Sequence, residues 1–207
     1  GENFSGGGIQ NVYNLRGERA ISNFNTPQTL SISFVYELPF GPGKRLFNSN
    51  GALGKVIGGW QVNSLMMFQS GPPLQITGGN RSALNAGTQR PNWDGSDPSK
   101  SGPVKDRLGE YFNTKAFSLN TPFTFGNAPR VMPNLYGPGT KNVDLSLFKN
   151  TKIGERYQVQ FRAEAFNALN RVQFAPPNTT ITSNQFGRIT AQANFPRDIQ
   201  LALKLLF

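Results

Sequence analysis

The chain has no cysteine and no histidine. The first absence excludes disulfides and thiolate metal sites, and leaves the redox compartment unmarked. The second removes Ser-His-Asp triads, Cys-His dyads and most transition-metal sites together. Acidic residues are also scarce, with 11 Asp and Glu against 21 Lys and Arg in 207 residues. These acids are spread along the chain with no pair set apart by its context, which argues against two-carboxylate chemistry of the glycosidase kind. The expectation is a protein that is not an enzyme and carries no cofactor and no metal. No stretch approaches the ~18 consecutive apolar residues of a membrane helix, so a helical span is excluded. The opening, GENFSGGGIQ, has neither a basic n-region nor an apolar h-region and does not read as a signal peptide. It suits either a cytosolic protein or one whose beginning lies upstream.

The formal charge of +10 raises nucleic-acid binding. The basic residues are scattered singly, with Lys44 and Arg45 the adjacent pair, and there is no recognition helix, zinc spacing or RNP-like aromatic strand. Nucleic acid is therefore not an expected partner. GPGK at 41–44 and GPGTK at 137–141 do not complete a phosphate loop and read as turns. NWDGSDPS at 92–99 offers oxygen ligands that suit Ca²⁺ but lacks the spacing and the Glu of an EF-hand loop; the other reading is an Asx-rich turn.

What the chain does have is glycine (23), proline (15), phenylalanine (17) and alternation. Five segments repeat with a period of two. TLSISFVYELPF puts Leu30, Ile32, Phe34, Tyr36, Leu38 and Phe40 on one side. WQVNSLMMFQ sets Trp60, Val62, Met66 and Phe68 against Gln61, Asn63 and Gln69, and NVDLSLF sets Val143, Leu145 and Leu147 against Asn142, Asp144 and Ser146. YQVQFRAEA sets Tyr157, Val159, Phe161, Ala163 and Ala165 against Gln158, Gln160, Arg162 and Glu164, although Tyr157, Phe161, Ala165 and Leu169 also stand at helical spacing. RDIQLALKLLF sets Ile199, Leu201, Leu203, Leu205 and Phe207 against Asp198, Gln200, Ala202 and Lys204.

The connections alternate in length. NTKIGER is short, residues 71–141 and about 170–196 are long and irregular, and a Gly-rich stretch of moderate length joins the first two segments. Short turns at one end and long loops at the other is the plan of an outer-membrane barrel. A soluble sandwich also alternates, but its solvent face is rich in Lys, Glu and Thr, whereas these polar faces are Ser, Asn and Gln, which suits a wet or plugged lumen. Tyr36, Phe40, Trp60, Tyr157 and Phe207 gather near the short-turn ends, as an aromatic girdle would; hairpin-end core packing is the other account. Phe148 fits neither, since its parity puts it on the polar face.

Several stretches together resemble the C-terminal barrel portion of Oar-like TonB-dependent outer-membrane transporters: YELPFGPGKR, GGWQVNSLMMFQSGPPLQI, YFNTKAF, FGNAPR, GPGTKNVDLSLFKNTKIGERYQVQFRAEAFNALNRVQF and FGRITAQANFPRDIQLALKLLF. The resemblance implies an all-β antiparallel meander of about five amphipathic strands, part of a larger transmembrane barrel with long extracellular loops, residues 71–141 being one. It implies that residues 1–207 are the C-terminal part of such a barrel, without the signal peptide, plug and N-terminal strands. It implies outer-membrane location in a Gram-negative-type bacterium, and uptake or surface binding of an unidentified solute. The partners implied are outer-membrane lipid, the barrel-assembly machinery and TonB, the last only through the absent plug. Leu203, Leu205 and Phe207 resemble the segment read by that machinery. Asp144, Gln158, Gln160, Arg162, Glu164, Gln200 and Lys204 are the lumen-facing candidates. A soluble or surface-assembled adhesin-like sheet protein is the alternative.

Parity also predicts a register. Centring the turn after the third strand on residues 151–155 makes paired positions sum to about 304–306, which places Asp144 opposite or diagonal to Arg162, flanked by Glu164, as a small ionic cluster.

Overall fold

A computed structural model describes residues 9–11, 13–48, 51–78 and 89–207. The described chain divides into two compact units.

One unit, made of Thr29–Gln69, Thr140–Val172 and Asn194–Phe207, is an antiparallel sheet. Among the described residues the strands in chain order are β1 (Thr29–Glu37), β2 (Trp60–Gln69), β3 (Asn92–Trp93), β4 (Phe117–Ser118), β5 (Thr140–Ile153), β6 (Tyr157–Phe166) and β7 (Asp198–Leu206), with one short α-helix, α1 (Ala52–Ile57). The large sheet has the order β1-β2-β5-β6-β7, every neighbouring pair antiparallel, so it is a meander without a crossover. YQVQFRAEAF is strand throughout; the cross-strand partners on both sides outweigh its helical spacing.

Strand length and strand stagger both suit a tilted wall. Four strands are 9 or 10 residues long, close to the length at which a tilted strand crosses a bilayer. The pairing steps along the sheet as well. Along β5, the ladder with β2 runs from Thr140 to Lys149, while the ladder with β6 runs from Leu145 to Ile153. Such a stagger is what tilted barrel strands require.

The turn between β5 and β6 is tighter than NTKIGER suggests. Ile153 pairs with Tyr157, leaving Gly154, Glu155 and Arg156 in the turn, with Gly154 at φ +66, a conformation that costs glycine nothing. Leu206 pairs with Gln158, so the Phe207 end of β7 and this turn share one end of the sheet. The connection containing α1 leaves β1 and enters β2 at that same end, while the three longer segments leave from the Gln69 and Thr140 end.

The second unit comprises Gly1–Gln28, Ser70–Gly139 and Gln173–Ala193. The long stretch between β2 and β5 is therefore not an unstructured loop. With the Gln173–Ala193 segment it builds the hydrophobic core: Leu74, Ile76, Phe112, Phe117, Met132, Leu135 and Ile189 are buried, and the rings of Phe112, Phe117 and Phe186 meet edge to face at 5.3–6.2 Å. Irregular backbone pairings hold it, among them Leu74 N–H to Leu135 O at 2.8 Å and Ile189 N–H to Leu108 O at 2.9 Å, with β3 and β4 as a two-rung ladder. A buried Arg90–Glu18 ion pair at 2.8 Å ties the early segment to this unit. Asp94 and Asp97 accept from the backbone and hydroxyl of Ser96 and Ser99, so NWDGSDPS forms two Asx turns. The stretch ends at Gly139, since Thr140 and Lys141 already pair in β5.

Candidate functional site

The registers assign every strand residue to a face. On one face lie Leu30, Ile32, Phe34 and Tyr36 of β1, then Phe68, Met66, Val62 and Trp60 of β2, then Val143, Leu145, Leu147 and Ile153 of β5. Phe161, Val159 and Tyr157 of β6 and Ile199, Leu201, Leu203 and Leu205 of β7 complete it. These side chains form one continuous apolar surface across five strands, and they are not packed into a core: Leu203 is 75% exposed and Leu30 54%. The hydrophobic core cluster contains no residue of the large sheet. A sheet of this size with an apolar face of this extent cannot be left against water, because it far exceeds the patches that soluble proteins expose.

Ser64, Thr151 and two lysines interrupt that face. Lys141 pairs with Phe68, and Lys149 pairs with Trp60 and Phe161. Lys149 snorkels toward the turn end: its ammonium lies 5.2 Å from the centre of the Trp60 ring and donates to Lys55 O at 2.8 Å and to Gly58 O.

The other face is polar and hydrogen-bonded. Asn150 Oδ1 accepts from Gln158 Nε2 at 3.1 Å and Gln160 Nε2 at 2.8 Å, and Gln160 Oε1 accepts from Arg162 Nε at 2.7 Å. The Arg162 guanidinium covers the Phe148 ring. Phe148 is thus an aromatic base for a cation, a role that strand alternation cannot reveal because it depends on the residue across the ladder. Gln200 and Lys204 lie on this face opposite Glu164 and Gln160, so all seven polar candidates, Asp144 included, share one side. Leu65 and Met67 of β2 also fall on it, opposite Asp144 and Asn142.

The ionic cluster of Asp144, Arg162 and Glu164 does not form. The β5–β6 ladder sums to 310, as in Phe148 with Arg162 (148 + 162), so Arg162 is displaced four residues along β5 from Asp144 (148 − 144). Parity survives and register does not, because the chain turns at Glu155 rather than two residues earlier. Asp144 instead accepts from Asn142 Nδ2 at 2.9 Å and from the backbone N–H of Asn167 at 2.8 Å.

Asn167 itself was not legible as a key residue. It is buried, sits at φ +48, donates from Nδ2 to Arg171 O (3.0 Å) and Phe195 O (3.2 Å), and accepts from Arg171 N–H at 2.9 Å. It knots the end of β6 to the approach of β7. The signal available in the sequence was an Asn just past a strand, a residue type that tolerates the left-handed conformation.

The aromatic candidates follow the staggered edge. Tyr36 stands opposite Val62, Trp60 opposite Lys149 and Tyr157 opposite Ile153. Phe207, fully exposed, follows Leu206 and borders the same surface pocket as Tyr157; Phe40 lies just past β1, 6.3 Å from Phe47. Leu203 and Leu205 are on the apolar face of the edge strand β7.

A family described as outer membrane beta barrel domain matches residues 1–200. The chain belongs to that family. It is an outer-membrane barrel protein, all-β, located in the outer membrane, and its described five-stranded sheet is open, with β1 and β7 as edges. No curated protein and no solved structure matches the chain.

Proposed function

We propose that this outer-membrane barrel domain is the C-terminal barrel wall of an Oar-like TonB-dependent transporter, which takes up or binds an unidentified solute. The observation that carries the reading is the two-faced sheet. One face is apolar over five strands, exposed on β1 and β7 and mostly half-buried between them, as a lipid-facing wall requires, while the other carries the Asn150–Gln158–Gln160–Arg162 string, as a polar lumen requires. The order of the resembling stretches, from YELPFGPGKR to the final strand, supports the narrower transporter reading. In this reading Leu203, Leu205 and Phe207 belong to the edge strand engaged by the barrel-assembly machinery. Residues 71–141 are extracellular, and TonB acts through a plug outside this sequence. No step calls for enzymatic chemistry.

The test uses the intact protein from its own outer membrane. Photo-crosslinking in living cells should recover TonB with it, and the purified protein in a planar bilayer should show no steady conductance, because the lumen is plugged. A steady open-pore conductance without TonB recovery would sink the transporter reading and leave a porin-like channel.

A further inference from the structure

At the turn end of the sheet, the connection between β1 and β2 folds into a structure of its own. Phe40 bridges to Leu46, and Gly41 packs so closely on Gly58 that a Cβ on Gly41 would overlap the Gly58 Cα. Phe47 is held at φ +51, a conformation rare for a bulky residue. Together these shape an open surface pocket of about 500 Å³, within the size range of small-ligand sites, lined by Leu38, Phe40, Phe47, Ile57, Trp60 and Leu147.

The lining selects the ligand. Trp60 Nε1 is the one polar side-chain atom among these six residues, and it already donates to Val56 O at 3.1 Å. Nothing in the lining remains to orient a polar molecule, so the lining suits an alkyl chain. Leu147 and Trp60 belong to the apolar face, which makes the pocket continuous with that face. The Lys149 ammonium, over the Trp60 ring, supplies a positive charge beside the pocket, and Arg45 and Lys55 add basic residues to the connection, where Lys44 is paired with Glu37 at 2.6 Å.

We infer that this pocket seats an acyl chain of an anionic glycerophospholipid from the leaflet at the turn end, with Lys149 facing its phosphate. The inference rests on the reading that the apolar face meets lipid. A neutral lipid would satisfy the lining equally but not the charge.

The test is photo-labelling of the intact protein in nanodiscs of phosphatidylcholine doped with a diazirine-acyl phosphatidylglycerol, with adducts mapped by mass spectrometry. Adducts should concentrate several-fold on Phe47, Ile57 and Trp60 relative to Leu201 and Leu203, and unlabelled phosphatidylglycerol should compete better than phosphatidylcholine. Ile57→Trp, which fills the pocket, should abolish the concentration. Lys149→Gln should remove the headgroup preference; because Lys149 also holds α1, Lys55→Gln, at an exposed position, serves as a second charge variant and should weaken it. Heat-modifiable gel mobility checks that each variant keeps its barrel. Labelling spread evenly over the pocket and Leu201 and Leu203, or competition indifferent to headgroup, would overturn the site while leaving the lipid-facing wall intact. Absence of labelling at Leu201 and Leu203 would overturn the wall itself.

Discussion

The guanidinium of Arg162 lies over the ring of Phe148, 4.8 Å from its centroid, because the β5–β6 register sets the two residues directly opposite each other. The pair should show a coupling of about 0.5–1 kcal/mol, the range for a cation–π contact that is not fully desolvated. A double-mutant cycle of Phe148→Leu and Arg162→Gln, read by urea unfolding of the intact barrel in lipid vesicles, measures it. Strict additivity would mean that the contact contributes nothing to the fold.

The two faces of β7 predict unequal costs. Leu203→Arg introduces a charge on the apolar face and should destabilise the barrel by about 2–4 kcal/mol if the position is near mid-membrane, whereas Gln200→Arg on the polar face should be mild. The same unfolding assay decides between them. Equal losses would contradict a lipid-facing assignment of the odd-numbered residues.

Asn167 has more to lose than its place just past a strand suggests. Its side chain makes three hydrogen bonds while buried, so Asn167→Ala should cost about 1–3 kcal/mol through unsatisfied backbone groups and the strained φ. Hydrogen exchange at the adjoining ends of β6 and β7 should speed up first. Unchanged protection there would show that the knot is dispensable.

The second unit should carry an acid-sensitive contribution from Glu110. Its carboxylate is held below its ordinary pKa, chiefly by the hydrogen bond from the Lys100 ammonium at 2.6 Å, which outweighs the opposing effect of burial. A carboxylate lowered on folding contributes stability that is complete above its unfolded pKa and disappears as pH falls through the folded value. Both side chains are substantially exposed, so the effect is small. Glu110→Gln should flatten the acid limb of that unit's protection against proteolysis, with little change at neutral pH. An unaltered acid limb would assign that limb to other groups.

The period of two along each strand is a local property: successive Cβ atoms point to opposite sides whatever the strand pairs with, so the five strands, their meander order and the faces of most strand residues were legible in the sequence, although Leu38 and Phe40 lie past the end of β1. Short and long connections likewise followed from composition, since Gly and Pro mark where the chain turns. Register was not legible, because one tight turn at Gly154 moved the β5–β6 pairing by several residues without disturbing parity, and thereby exchanged Asp144 for Phe148 as the partner of Arg162. The core of the second unit was hidden for a related reason. Leu74, Phe112, Met132 and Ile189 are brought together by irregular backbone, which imposes no period, so only the tertiary structure decided that separate stretches reading as loops form one folded body with its own interior.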